Sequence, residues 1–132
     1  MSRIQFPWMR LQVMAAVESL SDPVQQQTRW GRVEEGVNHY DDLTLNVSIL
    51  YDDTMVLPDP GDAVPALLHE NEVPAFQELY AVLEPLLQDL GELPDAAYLS
   101  DPRWTTVVHA AQVALAAMCA NDQAEPQMTG LP

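Results

Sequence analysis

Apolar residues return every three or four positions in several stretches of this chain, and prolines stand between the stretches. Over 6–20, Trp8, Leu11, Ala15 and Leu20 lie near helical spacing, with Met14 and Val17 beside them. Pro7 suits a first helical turn, where its missing N–H is no loss. Ser21-Asp22-Pro23 ends this block and starts the next, with Asp or Ser as N-cap and Pro at the first helical position. A short polar helix over 23–30 follows, and its only large apolar residues are Val24 and Trp30. Positions 31–36 read as a loop. The clearest helix start is Asn71-Glu72-Val73-Pro74, leading into a stripe of Phe76, Leu79, Tyr80, Leu83, Leu86, Leu87 and Leu90 that closes at Gly91. Pro85 predicts a kink or a division of this helix near Ala81-Val82. A last helix is expected from Ser100-Asp101-Pro102 through Trp104, Val107, Val108, Ala111, Leu115 and Met118, with small residues between that let a neighbour approach closely.

The stretch 40–53 supports two readings. Leu43, Leu45, Val47, Ile49 and Tyr51 alternate as in a half-buried strand, yet Leu43, Val47, Leu50 and Tyr51 also share a helical face. Asp41-Asp42 would sit at the positive end of such a helix. A strand would have only Thr54-Met55-Val56-Leu57 to pair with, and a lone hairpin is marginal. Helix is therefore preferred, with an α+β fold carrying one small hairpin around 43–57 as the alternative. The fold expected is all-α: an irregular bundle of five or six short helices, with residues 1–120 as one domain and 121–132 as a mobile tail. Its core should draw on Leu11, Met14, Val17, Val47, Leu50, Phe76, Leu79, Leu83, Leu86, Trp104, Val107, Val108, Ala111 and Leu115, with Trp8 on the same apolar face as Leu11.

Charge narrows the function. Twenty acids face five arginines and no lysine among 132 residues, for a net charge of -15. That opposes direct contact with nucleic acid or anionic lipid, which need a cationic face. The absence of lysine removes Schiff-base and lysine-base chemistry. One cysteine, Cys119, excludes an internal disulfide and fits a reducing, cytoplasmic setting, and no apolar run reaches a membrane span.

The paired acids Glu34-Glu35, Asp41-Asp42 and Asp52-Asp53, with His39 close to the first two, offer oxygens of the kind that hold magnesium or calcium. Their spacing fits no EF-hand and no Glu-x-x-His pattern, so solvated caps and turns are the simpler reading, and no cofactor is expected. Cys119 falls late in the last helix, where the dipole disfavours a thiolate, and His109 in the middle of that helix reads as a partly buried packing residue.

Tyr40-Asp41-Asp42-Leu43-Thr44-Leu45-Asn46, Leu50-Tyr51-Asp52-Asp53-Thr54, Leu57-Pro58-Asp59-Pro60, and Tyr98-Leu99 with Asp101-Pro102-Arg103-Trp104 together resemble a group of small acidic proteins common in actinobacteria. The likeness covers roughly 11–118. It implies a free-standing single-domain protein of the cytoplasm and hands over no catalytic residues.

The reading that remains is a small acidic interaction module, not an enzyme, of the immunity, antitoxin or accessory kind, that binds a partner protein with a basic surface. Homo-oligomerisation stays open. A metal-dependent hydrolase built on the acids of 34–42 and a nucleic-acid mimic are the alternatives. Partner contact is expected on Arg29, Trp30, Arg32, Glu34, Glu35, His39 and Tyr40, where aromatic and arginine anchors would supply affinity while acids steer. The competing role for Trp30 and Tyr40 is to cover one end of the core.

Overall fold

In the computed structural model, residues 4–30 and 41–124 are described, and six α-helices follow one another among them. They are α1 (Pro7–Leu20), α2 (Pro23–Arg29), α3 (Leu43–Ser48), α4 (Val73–Leu90), α5 (Asp95–Leu99) and α6 (Trp104–Ala124). A π-turn, Ile49–Asp53, continues α3, and single 3₁₀ turns occupy Pro60–Ala63 and Glu70–Glu72. The described residues include no strand, so the all-α bundle holds and the hairpin alternative around 43–57 does not. Among the described residues, extended backbone pairs at an isolated parallel bridge between Trp30 and Asp41.

The expected start signals act as the sequence predicts. The Asp22 carboxylate accepts the Gln25 N–H, and Asp42 accepts that of Leu45, each satisfying an orphan donor of a first turn. Asp101 accepts the N–H of Arg103 just before α6. Gly91 ends α4 at φ +54, a conformation a side chain disfavours. Pro85 does not divide α4, which runs unbroken through it.

α6 packs on both α4 and α1. Phe76, Leu79, Leu83 and Leu86 of α4 are fully buried, as are Val107, Ala111, Ala114 and Met118 of α6. The small residues at 110, 111 and 114 are all buried, in keeping with the close approach expected there. Leu50, Val56, Leu57, Leu68 and Tyr98 fill the remaining core.

Four expectations need correction. The inner face of α1 is Arg10, Val13, Ala16, Val17 and Leu20, so Trp8 and Leu11 point outward at 63% and 65% exposure. Arg10 joins that inner face because its guanidinium pairs with the buried Glu72 carboxylate, which the apolar spacing of the helix does not reveal. Met14, Val47 and Leu115 are half-buried, packed on the edge of the core and not within it. The last helix runs to Ala124, past the tail boundary expected at 120, because Asn121 and Asp122 bond to groups on the rest of the fold. His109 is exposed on α6 and not partly buried.

Candidate functional site

Of the residues expected to meet a partner, Arg32, Glu34, Glu35, His39 and Tyr40 lie outside the described residues. Arg29 is exposed at the end of α2. Trp30 is a core residue. It is 6% exposed and meets Trp104 edge to face at 5.9 Å, and Trp104 meets Tyr98 in the same way at 6.4 Å. The Trp30 indole N–H donates to Ser19 Oγ at 2.8 Å and to Asp41 Oδ2 at 3.1 Å. Gln26, buried beside them, accepts the Trp104 indole N–H and donates to the Ser19 and Leu20 carbonyls. Trp30 therefore covers one end of the core, the second of the two roles the sequence offers it.

Asp41 is absorbed by the same network. Its carboxylate accepts from Ser19 Oγ, Gln25 Nε2, Trp30 Nε1 and Asn46 Nδ2, four donors for about four lone-pair sites. Each donor is neutral, so the group stabilises a junction of α1, α2 and α3 and keeps little capacity for a further ligand. Asp95 accepts the Leu43 N–H nearby. Burial, with Asp42 and Asp41 close by, pushes its carboxyl above the usual range despite that bond. Among the described residues no group of three His, Cys, Asp or Glu side chains is placed to hold a metal ion.

Sequence reasoning missed two features. The first is the pairing of Arg10 with Glu72, both buried. The guanidinium forks onto the carboxylate at 2.8 and 2.6 Å, and also donates to the Leu67 carbonyl at 3.0 Å and to Asp122 Oδ1 at 3.1 Å. Glu72 further accepts from the His69 N–H and from Asn121 Nδ2. This ties α1 to the foot of α4 and the end of α6, where a cation also suits the helix dipole. An arginine and a glutamate 62 positions apart carry no local sign of such a bond.

The second is a groove of about 400 Å³ against the Leu67 side of that pair, within the range of ligand sites. Phe6 and Met9 from α1 and its entry, Tyr51 from the π-turn, and Met55, Leu57 and Ala66 from the following loops line it. Asp59 and Asp62 are its charged lining, and no lysine or arginine takes part among the described residues. The walls are fixed by backbone bonds: the Gln5 and Phe6 N–H groups both donate to the Ala66 carbonyl, and the Leu57 N–H donates to that of Leu50. Tyr51 donates its hydroxyl to Glu84 Oε1 at 2.8 Å, and burial together with that carboxylate moves its ionisation well above the ordinary range, so the phenol stays neutral. Beside the groove, Phe6 and Trp8 meet edge to face at 5.5 Å and remain exposed. Phe6, Trp8, Leu11 and Met55 are all exposed, and Phe6 and Met55 line the same groove. The same stretch of α1 looked like core in the sequence, which concealed it.

A family profile described as a domain of unknown function, DUF7945, matches residues 4–126. No match was found among curated proteins or among solved structures.

Proposed function

The chain belongs to the DUF7945 family, whose description assigns no activity, and from that premise we propose that it is a small acidic interaction module binding a basic partner protein. The observation that carries this reading is the groove: an apolar concavity whose charged lining, among the described residues, is carboxylate, on a chain of net charge -15. Apolar lining supplies the desolvated contact that gives affinity, while the surrounding charge raises the rate of encounter with a cationic partner. The docking face moves accordingly from the stretch 29–42 to the groove, since Trp30 and Asp41 are engaged internally. The resemblance to small acidic actinobacterial proteins, and to no enzyme class, supports a cytoplasmic binder of the immunity, antitoxin or accessory kind. No helix among the described residues is long and apolar enough to cross a membrane.

Capture from a native lysate identifies candidate partners, and stopped-flow association of the purified pair tests the mechanism. The expected partner is basic, and its association rate falls steeply as salt approaches about 1 M, where the screening length is ~3 Å. A partner without a basic surface, or a rate indifferent to salt, overturns the proposal.

A further inference from the structure

We propose that Met55 is the affinity-determining residue of the groove, and that it closes on an apolar side chain of a cationic amphipathic segment of the partner. The inference rests on the interaction-module reading and adds the site and the chemistry of its occupant. Its independent support is a conformational oddity. Met55 has φ +57, the only non-glycine residue with positive φ among those described. An L side chain is strained there, and glycine would not be. Burial does not compensate, because Met55 is 67% exposed while Thr54, Val56 and Leu57 on either side of it are buried. The fold thus holds its neighbours inside and leaves a large flexible thioether mostly in solvent at the groove wall. Methionine there is suited to a surface that must fit an apolar group arriving from outside, being unbranched and polarisable.

The occupant follows from charge. Asp52 and Asp53 precede Met55, Asp59 and Asp62 follow it, and all four are exposed. Lysine or arginine residues flanking an apolar anchor would meet these carboxylates while the anchor enters between Phe6 and Met55. A second copy of this chain would bring -15 against -15, and an anionic bilayer would be repelled in the same way.

The test uses the full chain and a peptide of alternating Lys and Leu blocks, about 18 residues or five helical turns long. Controls are the same peptide with Ser for Leu, and with Glu for Lys. Wild type should bind the Lys/Leu peptide most tightly. Met55→Gly should weaken that binding about tenfold or more, leave the Lys/Ser peptide unaffected, and keep or raise the melting temperature; Met55→Leu should retain affinity. Equal binding of the Lys/Leu peptide by wild type and Met55→Gly overturns this inference and leaves the interaction-module reading standing. A fall in melting temperature in Met55→Gly also overturns it, since the side chain would then serve the fold. If the Glu/Leu peptide binds as well as the Lys/Leu peptide, the reading of the chain as a binder of basic partners fails with it.

Discussion

Arg10 of α1 and Glu72 at the foot of α4 meet in a two-bond fork, 2.8 and 2.6 Å, with neither side chain reachable from solvent to any useful extent. Three helices converge on this pair, because the same guanidinium donates to Asp122 and to the Leu67 carbonyl that backs the groove. Fold and candidate site share this joint.

Removing one partner should be far worse than removing both. Glu72→Gln leaves a buried guanidinium with only the partly exposed Asp122 carboxylate, a loss on the order of 3–5 kcal/mol. Arg10→Met combined with Glu72→Met removes both charges and should recover a large part of that loss. Urea unfolding of the single and double variants measures the difference. Additive losses would show that the pair contributes nothing as a pair.

The acid limb of stability should run through Glu72. Burial by itself would raise its pKa, but hydrogen bonds from Arg10, Asn121 and the His69 N–H more than offset this and hold it below the ordinary value. The ionised group therefore stabilises the fold above the unfolded value of about 4.3, and that contribution is lost as pH falls through the lower folded value. Asp95 has the opposite sign. Its pKa is raised, chiefly by burial, so its contribution is present at low pH and is lost as pH rises through the folded value. Asp95→Asn should raise the melting temperature at neutral pH and leave it unchanged well below about pH 4. A melting temperature that falls at neutral pH would mean that the Leu43 N–H needs a carboxylate.

Trp30 should behave as core. Trp30→Ala should cost about 3–5 kcal/mol by denaturant unfolding, as truncation of a buried aromatic does. Trp30→Phe keeps most of the ring against Trp104 but removes the indole donor to Ser19 and Asp41, and should cost about 1–3 kcal/mol. A Trp30→Ala variant of unchanged stability would return this residue to the surface.

The phase of α1 is tested by a pair of truncations. Leu20→Ala, at a fully buried site, should cost about 2–5 kcal/mol, whereas Leu11→Ala should stay within about 0.5 kcal/mol of wild type. Equal losses would mean that α1 presents a different face to the core.

Much of the fold was legible because its signals are local. Asp22, Asp42, Pro74 and Gly91 mark helix ends through bonds or dihedrals reaching only a few positions, and the stripe Phe76, Leu79, Leu83, Leu86 repeats within one element. The segment 43–51 was harder, since its alternation fits a strand; the lack of a partner strand decided it, and helix with a π-turn is what forms. The α1 face was misread for a reason that lies far along the chain: the partners that hold Arg10 inward are Glu72, Asp122 and the Leu67 carbonyl. The groove was illegible on similar grounds. Phe6, Tyr51, Met55 and Ala66 come from four separate segments, and the one local hint, a methionine among Asp and Thr in a loop, says nothing of a positive φ. Trp30 beside Arg29 and Arg32 has the composition of an interface, but the bonds to Ser19 and Asp41 that bury it depend on α1 and on the chain beyond residue 40.

The most direct measurement is a methyl NMR titration of the full chain with the Lys/Leu peptide. If a basic amphipathic segment docks in the groove, the methyl signals of Met9, Met55, Leu57 and Ala66 should move together and saturate at one equivalent, while the exposed methyls of Val24 and Val113, which do not line it, stay in place. Shifts spread over Val24, Leu45, Leu93 and Val113 with no preference for the groove, or no saturation, would contradict it.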